Sequence, residues 1–301
     1  MPLSHQNRQD HPGCESDAGG AGEAAVDEHA IITWLRQFGD EDDIDCALRM
    51  LAAVKVLTRV EVRTTVASFL ESNPGFRGCH VCQLGGPRDS SSIITYFAQD
   101  LADKWDLKVV SLQQALSEDD RPIMFVDDFL GTGRQSVSIV KHWLDEPFEG
   151  QLDEDHGPKL TPKQANDLKT RHLGFAFVYG TADGKDLLTS KLTESGLSLN
   201  VHIHQDEAVL PRAFRGSSVQ YSSDEVAARF EARCSVIGRQ LLESQHVSTE
   251  KVVERILGYG NNSYLVVFPY NVPTATLTLL WHEGKVDGID WMPLLPRRKK
   301  R

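Results

Sequence analysis

No apolar run in this chain approaches the roughly 20 residues needed to cross a bilayer, so no membrane-spanning helix and no membrane partner are expected. The start lacks a positive segment followed by an apolar core, so no secretory leader is expected either. Cysteine is sparse. Cys14, Cys46, Cys79, Cys82 and Cys234 are scattered along 301 residues, which fits a reducing, cytoplasmic setting rather than a disulfide framework. Positive charge is in deficit, with 32 Lys and Arg against 43 Asp and Glu and a net charge of −11. That balance argues against a broad nucleic-acid-binding face, although one local positive pocket or a bound Mg²⁺ would still let the chain hold a polyanion. There is no long internal repeat. What remains is ordinary for a globular protein, with 40% hydrophobic and 25% charged residues and a length that fits one large or two modest domains.

Residues 1–25 are rich in Gly, Ala, Ser, Asp and Glu and are expected to be a disordered tail. Residues 26–75 read as a helical subdomain. Ile31, Ile32, Leu35 and Phe38 form a stripe ended by Gly39, and Asp40-Glu41-Asp42-Asp43 suits the start of the next helix. Ile44, Leu48, Leu51 and Val54 continue at helical spacing, as do Val62, Val66, Phe69 and Leu70. Residues 76–215 read as an α/β core. Strands are expected at 81–84, 107–112, 122–127 and 173–179, with an alternating edge strand at 197–204. Helices are expected from the serines after Asp89 to about 104, over 136–144 and over 181–192, and 145–168 reads as a polar surface insertion. Strands separated by helices predict a mostly parallel sheet covered on both faces. Residues 216–297 read as an α+β cap packing on the sheet. Ser222-Ser223-Asp224-Glu225, taken as a capping box, opens a helix with Val226, Phe230, Cys234, Ile237 and Leu241 on one face. The cap continues through Leu257-Gly258-Tyr259-Gly260-Asn261-Asn262 and an apolar strand at 264–268 to the tryptophans at 281 and 291. A basic tail, 298–301, follows.

The most informative stretch runs from Ile123 to Gln135. Four apolar residues end at Val126, Asp127 and Asp128 follow, and Gly131-Thr132-Gly133 leads into a helix-forming segment. A tight bend after Val126 would gather free backbone N–H groups at a helix start, a ready phosphate site. Paired carboxylates beside it, at the carboxyl end of a strand, suit the hydroxyls of a phosphorylated sugar. Any strand-to-helix turn with a polar end is the bland alternative.

At these residues the sequence resembles the type I phosphoribosyltransferases, whose signature is an apolar strand, two acids, two apolar residues and a Thr-Gly-Gly-Thr type loop. The resemblance implies that Asp127 and Asp128 meet the ribose 2- and 3-hydroxyls of phosphoribosyl pyrophosphate. It places Gly131, Thr132, Gly133, Arg134 and Gln135 around the 5-phosphate. Arg134 stands where the family has a second glycine and Gln135 where it has Thr or Ser. The guanidinium could add a bidentate phosphate contact or could crowd the loop. One strand and helix upstream, where the family keeps its pyrophosphate loop, lies Gly85-Gly86-Pro87-Arg88-Asp89-Ser90. The resemblance assigns Gly85, Gly86, Arg88, Asp89 and Ser90 to pyrophosphate; a helix cap after a tight turn is the alternative. It further implies displacement at the sugar C1 through an oxocarbenium-like transition state. Mg²⁺ would be bound through the ligand near Asp127 and Asp128, with no direct protein ligand.

One departure is large. Type I enzymes close a mobile basic loop over the leaving group, whereas 111–121 here is short, carries Ser117-Glu118-Asp119-Asp120, and has only Arg121 and Lys108 nearby for charge. The helical and aromatic additions around the core are similar to phosphoribosyltransferase-like domains of bacterial conflict and antiviral defence systems, from about residue 28 to 297. Three functions stay open: an enzyme acting on phosphoribosyl pyrophosphate or a related nucleotide, a non-catalytic sensor of such a ligand that regulates a protein partner, and a purely structural partner-binding protein. Acceptor and oligomeric state stay open as well. Cys79-His80-Val81-Cys82 has the spacing of a zinc half-site but no second half follows, so buried strand cysteines are expected. His202 and His204 alternate on one strand face and His172 precedes a strand; they could be acid–base groups or metal ligands, but exposed alternating positions are commoner and are expected. Asn271 could read a base edge or simply hold a turn.

Overall fold

The computed structural model describes residues 26–86, 90–148, 156–269 and 272–297; the N-terminal tail, Asn271 and the terminal basic run lie outside these. The first helices start where acidic side chains can cap them. Asp27 accepts from the Ala30 N–H ahead of α1 (Glu28–Arg36), and Asp40 accepts from the Asp42 and Asp43 N–H groups ahead of α2 (Glu41–Ala52). A two-residue strand, β1 (Lys55–Val56), interrupts the expected helical run, because it pairs in parallel with Val266–Val267 from the far end of the chain. Two residues carry no readable period. Thr58 and Glu61 then cap each other's backbone groups at the start of α3 (Arg59–Ser72).

The α/β core follows in the order β2 (His80–Gln83), α4 (Ser90–Ala98), α5 (Ala102–Trp105), β3 (Lys108–Val109), α6 (Leu112–Glu118), β4 (Ile123–Leu130), α7 (Arg134–Trp143), α8 (Pro162–Thr170), β5 (His172–Gly180), α9 (Ala182–Glu194) and β6 (Ser198–Asp206). The five strands form one parallel sheet in the order β3-β2-β4-β5-β6, covered by helices on both faces. Val81, Met124, Val126, Ala176 and Val178 face α3 and α4, whereas Cys82, Phe125, Phe175 and Phe177 face α6, α7 and α9. Apolar residues on both faces explain the near-continuous hydrophobic runs of the central strands.

Three departures from the sequence reading in the α/β core have a clear local cause. The second strand stops at Val109 because Ser111 accepts from the Gln114 N–H and starts α6. The third continues to Leu130 because its ladder with β5 extends to Gly180. The supposed insertion at 145–168 includes α8, opened by a capping box between Thr161 and Gln164 with Pro162 in its first turn. Residues 149–155 lie outside the described residues. The cysteine pair is buried, with Cys79, just before β2, on one face of the sheet and Cys82 of β2 on the other, an arrangement unsuited to joint metal ligation. Burial pushes the Cys79 thiol up to about 12.

β6 is the sheet edge, yet His202 and His204 are half-buried rather than exposed, and the Nε2 atom of His202 is enclosed with no hydrogen-bond partner among the described residues. Burial, then His204 and Lys185, holds His202 below the ordinary imidazole value of 6.5; burial also lowers His204, against the pull of Glu61. The unfolded chain therefore takes up protons first as pH drops below about 6.5, so stability present above that value is lost as pH falls through the folded-state values. Melting temperature is expected to decline between about pH 7 and pH 5.5, and His202→Asn should flatten part of that decline. An unchanged slope in the variant would remove His202 from the account.

The C-terminal module contains α10 (Asp224–Ser244), α11 (Thr249–Arg255), β7 (Val266–Val267), and a hairpin of β8 (Gly284–Val286) and β9 (Ile289–Trp291). Ser223 caps α10 by accepting from the Val226 N–H, which places Glu225 one position too early to complete the expected reciprocal box. Phe230, Cys234, Ile237 and Leu241 form the buried face, and they meet Trp34, Phe38 and Met50 of the first two helices in a shared core with Trp291. Gln37 also exchanges two hydrogen bonds with the Met292 backbone, at 2.9 and 2.7 Å. The strand expected at 264–268 shrinks to β7, because only Val266 and Val267 meet β1. Tyr264, Val266 and Phe268 then join the α3/α4 face of the sheet. Among the described residues no helix is long and apolar enough to cross a membrane.

Candidate active site

β2 and β4 are neighbours in the sheet, but their following helices leave on opposite faces, α4 with the α3 side and α7 with the α9 side. The loops after the two strands therefore diverge at the carboxyl end of the sheet, the switch point where open parallel sheets form their ligand crevice. On the β4 side lie Asp127, Asp128 and the 131–133 turn; on the β2 side lie Gly85 and Gly86.

A regular pleat would throw Asp127 and Asp128 to opposite faces. Ile123 and Phe125 do face α7 and α9 while Met124 and Val126 face α3 and α4, yet beyond the acids the order is reversed, with Phe129 on the α3/α4 side and Leu130 on the α7/α9 side. One residue between Val126 and Phe129 must be out of step, and the two acids are the only residues there. The neighbouring strand shifts at the same level. Adjacent Val178 and Tyr179 share the α3/α4 face, and the ladder passes from Asp127↔Phe177 directly to Phe129↔Tyr179. Such breaks re-aim side chains next to functional sites. Here one leaves Asp127 half-buried and Asp128 buried at 6% exposure, with the Asp127 Oδ1 atom accepting from the Asp128 N–H at 2.9 Å. The bend expected after Val126 comes four residues later, at Gly131.

Gly133, at φ +75°, takes the N-cap position of α7 with no side-chain cap, and the first helical turn carries no acid. Thr132, Arg134 and Gln135 around it are exposed, while Ser136 is buried. The turn rests on the start of α9. Thr181 donates to the Gly131 carbonyl at 2.5 Å and accepts from the Gly184 N–H at 3.0 Å. A Cβ on Gly133 would lie 2.5 Å from the Gly184 carbonyl oxygen, and one on Gly184 would lie 2.1 Å from that of Gly131. Two backbones thus approach as only glycines permit.

On the opposite side of the crevice Gly85, at φ +101°, accepts through its carbonyl from the Gln83 side chain at 3.2 Å, and Gly86 is buried. Ser90 opens α4, while Arg88 and Asp89 lie outside the described residues. Lys108 and Arg121 do not approach the crevice. They begin β3 and precede β4 at the amino end of the sheet, about 25 Å away along an eight-residue strand. There Lys108 meets Glu118 at 3.4 Å, Arg121 meets Asp119 at 3.1 Å, and both carboxylates approach the buried His80. Among the described residues no group of three or more His, Cys, Asp or Glu side chains is placed to hold a metal ion.

The family model PRTase-CE matches residues 31–297, most of the chain. This chain belongs to the PRTase-CE family. Its helix-flanked, five-stranded parallel sheet accords with the phosphoribosyltransferase-like fold of that family. No curated protein and no solved structure matches it.

In this PRTase-CE protein the site includes residues that the motif does not announce. Thr181 and Gly184 fix the turn from beneath; a lone glycine early in a helix is the trace they leave in the sequence. From the C-terminal module Tyr259 packs against the same apolar cluster as Phe129, and burial, then Glu254, raises its phenol against the pull of Thr132 and Arg134. Nothing in residue spacing links positions 129 and 259.

Proposed function

We propose that this PRTase-CE protein binds phosphoribosyl pyrophosphate or a related nucleotide in the crevice between β2 and β4 and cleaves or transfers at the ribose C1. The observation that carries the reading is the conjunction at the switch point: an acid pair released from face alternation beside a helix start that no side chain caps. Under this reading the 5-phosphate takes the amides of 133–135 and the Thr132 hydroxyl, and the carboxylates of Asp127 and Asp128 accept from the ribose hydroxyls. Arg134, being exposed at the mouth, has room to reach the phosphate instead of plugging the turn. Pyrophosphate would lie toward Gly85 and Gly86.

The donor set suits a divalent ion carried by its ligand. Two hard carboxylate groups, Asp127 and Asp128, suit Mg²⁺ held near them through the ligand. When bound, Mg²⁺ supplies charge neutralisation on the departing pyrophosphate. The chain's own task is to fix the ribose so that C1 faces an acceptor base or water while positive charge develops on the ring. A role as a bacterial defence effector belongs to the same proposal and is supported by the similarity of the flanking additions to conflict-system domains.

A second reading, a sensor that binds without turnover, is favoured by one observation. The crossover from β3 to β4 is used up by α6, and its cations lie at the wrong end of the sheet to cover a leaving group. Calorimetry with phosphoribosyl pyrophosphate and Mg²⁺, coupled to chromatography for released pyrophosphate, distinguishes the two. Binding with release is the expected result. Saturable binding with no release over hours would favour the sensor, and absence of binding to phosphoribosyl pyrophosphate, ribose 5-phosphate and nucleotides would remove both.

A further inference from the structure

We propose that the β6 edge of the sheet is the association surface for a second copy of this chain, with the two β6 strands paired antiparallel about a two-fold axis at Val201. The sheet has two ends, and they are built differently. At one end β3 is two residues long and carries the exposed Lys108, the short, charged kind of edge that resists further pairing. At the other end β6 runs for nine residues, Ser198–Asp206, and among the described residues its backbone pairs with β5 alone. Half of its N–H and carbonyl groups therefore point away from the sheet with no strand to receive them.

The usual protections are missing from this edge. From Ser195 to Gln205 there is no Lys, Arg, Asp, Glu or Pro, in a chain of which 25% is charged. The ladder with β5 is continuous from Ser198 to Ile203, about 20 Å of strand. It breaks only at His204, where pairing passes from Phe177↔Ile203 to Tyr179↔Gln205. Leu199, Val201 and Ile203 share the α9 side and are only partly covered there. Asn200, His202 and His204 share the α3 side, where Asn200 bonds Asn73 and His202 meets Phe69 edge-on.

Symmetry and charge identify the occupant. A two-fold axis perpendicular to the sheet keeps each face on its own side, so residues set opposite one another must share a face. Centring that axis on Val201 sets Val201 against itself and Leu199 against Ile203 of the second copy, which gives apolar cross-strand pairs all along one face. A centre at Asn200 or His202 would leave one of the three opposite a residue outside β6 or opposite Gln205. On the other face Asn200 meets His202 of the second copy, both uncharged at neutral pH because burial holds that imidazole below 6.5. Asp206, the one acid in β6, falls opposite Gly196 of the second copy, whereas a parallel arrangement would set it beside itself. Two five-stranded sheets thereby become one continuous sheet, closed by an isologous contact. Because α3 and α9 pack on β6 from its two faces, each comes alongside its counterpart and adds area that the strands alone do not supply.

Sedimentation of the full-length protein across the micromolar range tests this. Wild type is expected to pass from monomer to dimer as concentration rises. Val201→Lys, which sets two ammonium groups face to face at the axis, is expected to weaken the dimer at least about tenfold. Val201→Cys is a second measurement that keeps the strand apolar. A short thiol-to-thiol crosslinker should yield covalent dimer well above the wild-type background, and Val209→Cys, exposed but beyond the edge, should not. A wild-type protein that sediments as a monomer at every concentration would leave the edge to some other strand and overturn the proposal. So would a dimer untouched by Val201→Lys, or equal crosslinking at positions 201 and 209. Should Val201→Lys fail to fold, the crosslinking of Val201→Cys decides.

Discussion

Asp127→Asn combined with Asp128→Asn is expected to lower Mg²⁺-dependent release of pyrophosphate from phosphoribosyl pyrophosphate by at least about 10²-fold, in line with the loss of a preorganised electrostatic contact. The fold should survive. Asparagine keeps the shape of each side chain, its Oδ1 can still accept from the amide at the pleat break, and an amide is less costly to bury than a carboxylate at the nearly enclosed position 128. Melting within a few degrees of wild type, together with lost turnover, is therefore the predicted pair of results. The single variants should differ in kind. Asp127 is half-exposed at the mouth and Asp128 is buried behind it, so Asp127→Asn should mainly raise KM, and Asp128→Asn should mainly lower kcat. Full activity in the double variant would dismiss both acids from the chemistry.

The sheet was readable from the sequence because its strands are buried on both faces. Runs such as those ending at Val126 and Tyr179 can hardly be anything else in a chain whose other segments show helical periods. The helices of the first fifty described residues were equally open to reading, since Asp27, Asp40 and Thr58 cap them with short-range bonds. What was hidden depended on distant partners. β1 exists only because β7 crosses to meet it, and the end of β4 was set by its ladder with β5 rather than by its own residues. The acid pair illustrates the limit well. Its identity is plain in the sequence, but the reversal of alternation around it is a property of two adjacent strands shifting together. Lys108 and Arg121 look close to the motif in number and lie at the opposite end of the sheet, because a strand carries the chain about 25 Å before the acids' turn is reached. Tyr259 could not have been assigned to the cluster of Phe129 by any local rule; only its flanking glycines marked the position as unusual.

Gly184→Ala should be among the most damaging single-methyl changes in the molecule, and in a direction opposite to helix propensity. In an open helix, replacing glycine by alanine stabilises by about 1 kcal/mol. Here the added Cβ would sit 2.1 Å from the Gly131 carbonyl oxygen and 3.1 Å from its carbon, both backbone atoms with no side-chain freedom to yield. Either α9 retreats or the 131–133 turn is displaced, and Thr181 loses its bridge between them. A loss of about 2–4 kcal/mol is expected, with a fall in Tm of roughly 5–10 °C. Because the displaced turn is the one assigned to the 5-phosphate, affinity for ribose 5-phosphate should fall with it, measured below the lowered Tm. Gly196→Ala is the control: it too has positive φ (+81°), but nothing lies within 4 Å of its added Cβ, so only about 1–2 kcal/mol of backbone strain applies and ligand affinity should be unchanged. A Tm for Gly184→Ala at or above wild type would mean that the start of α9 yields freely, and the close approach of the two backbones would no longer explain the shape of the turn.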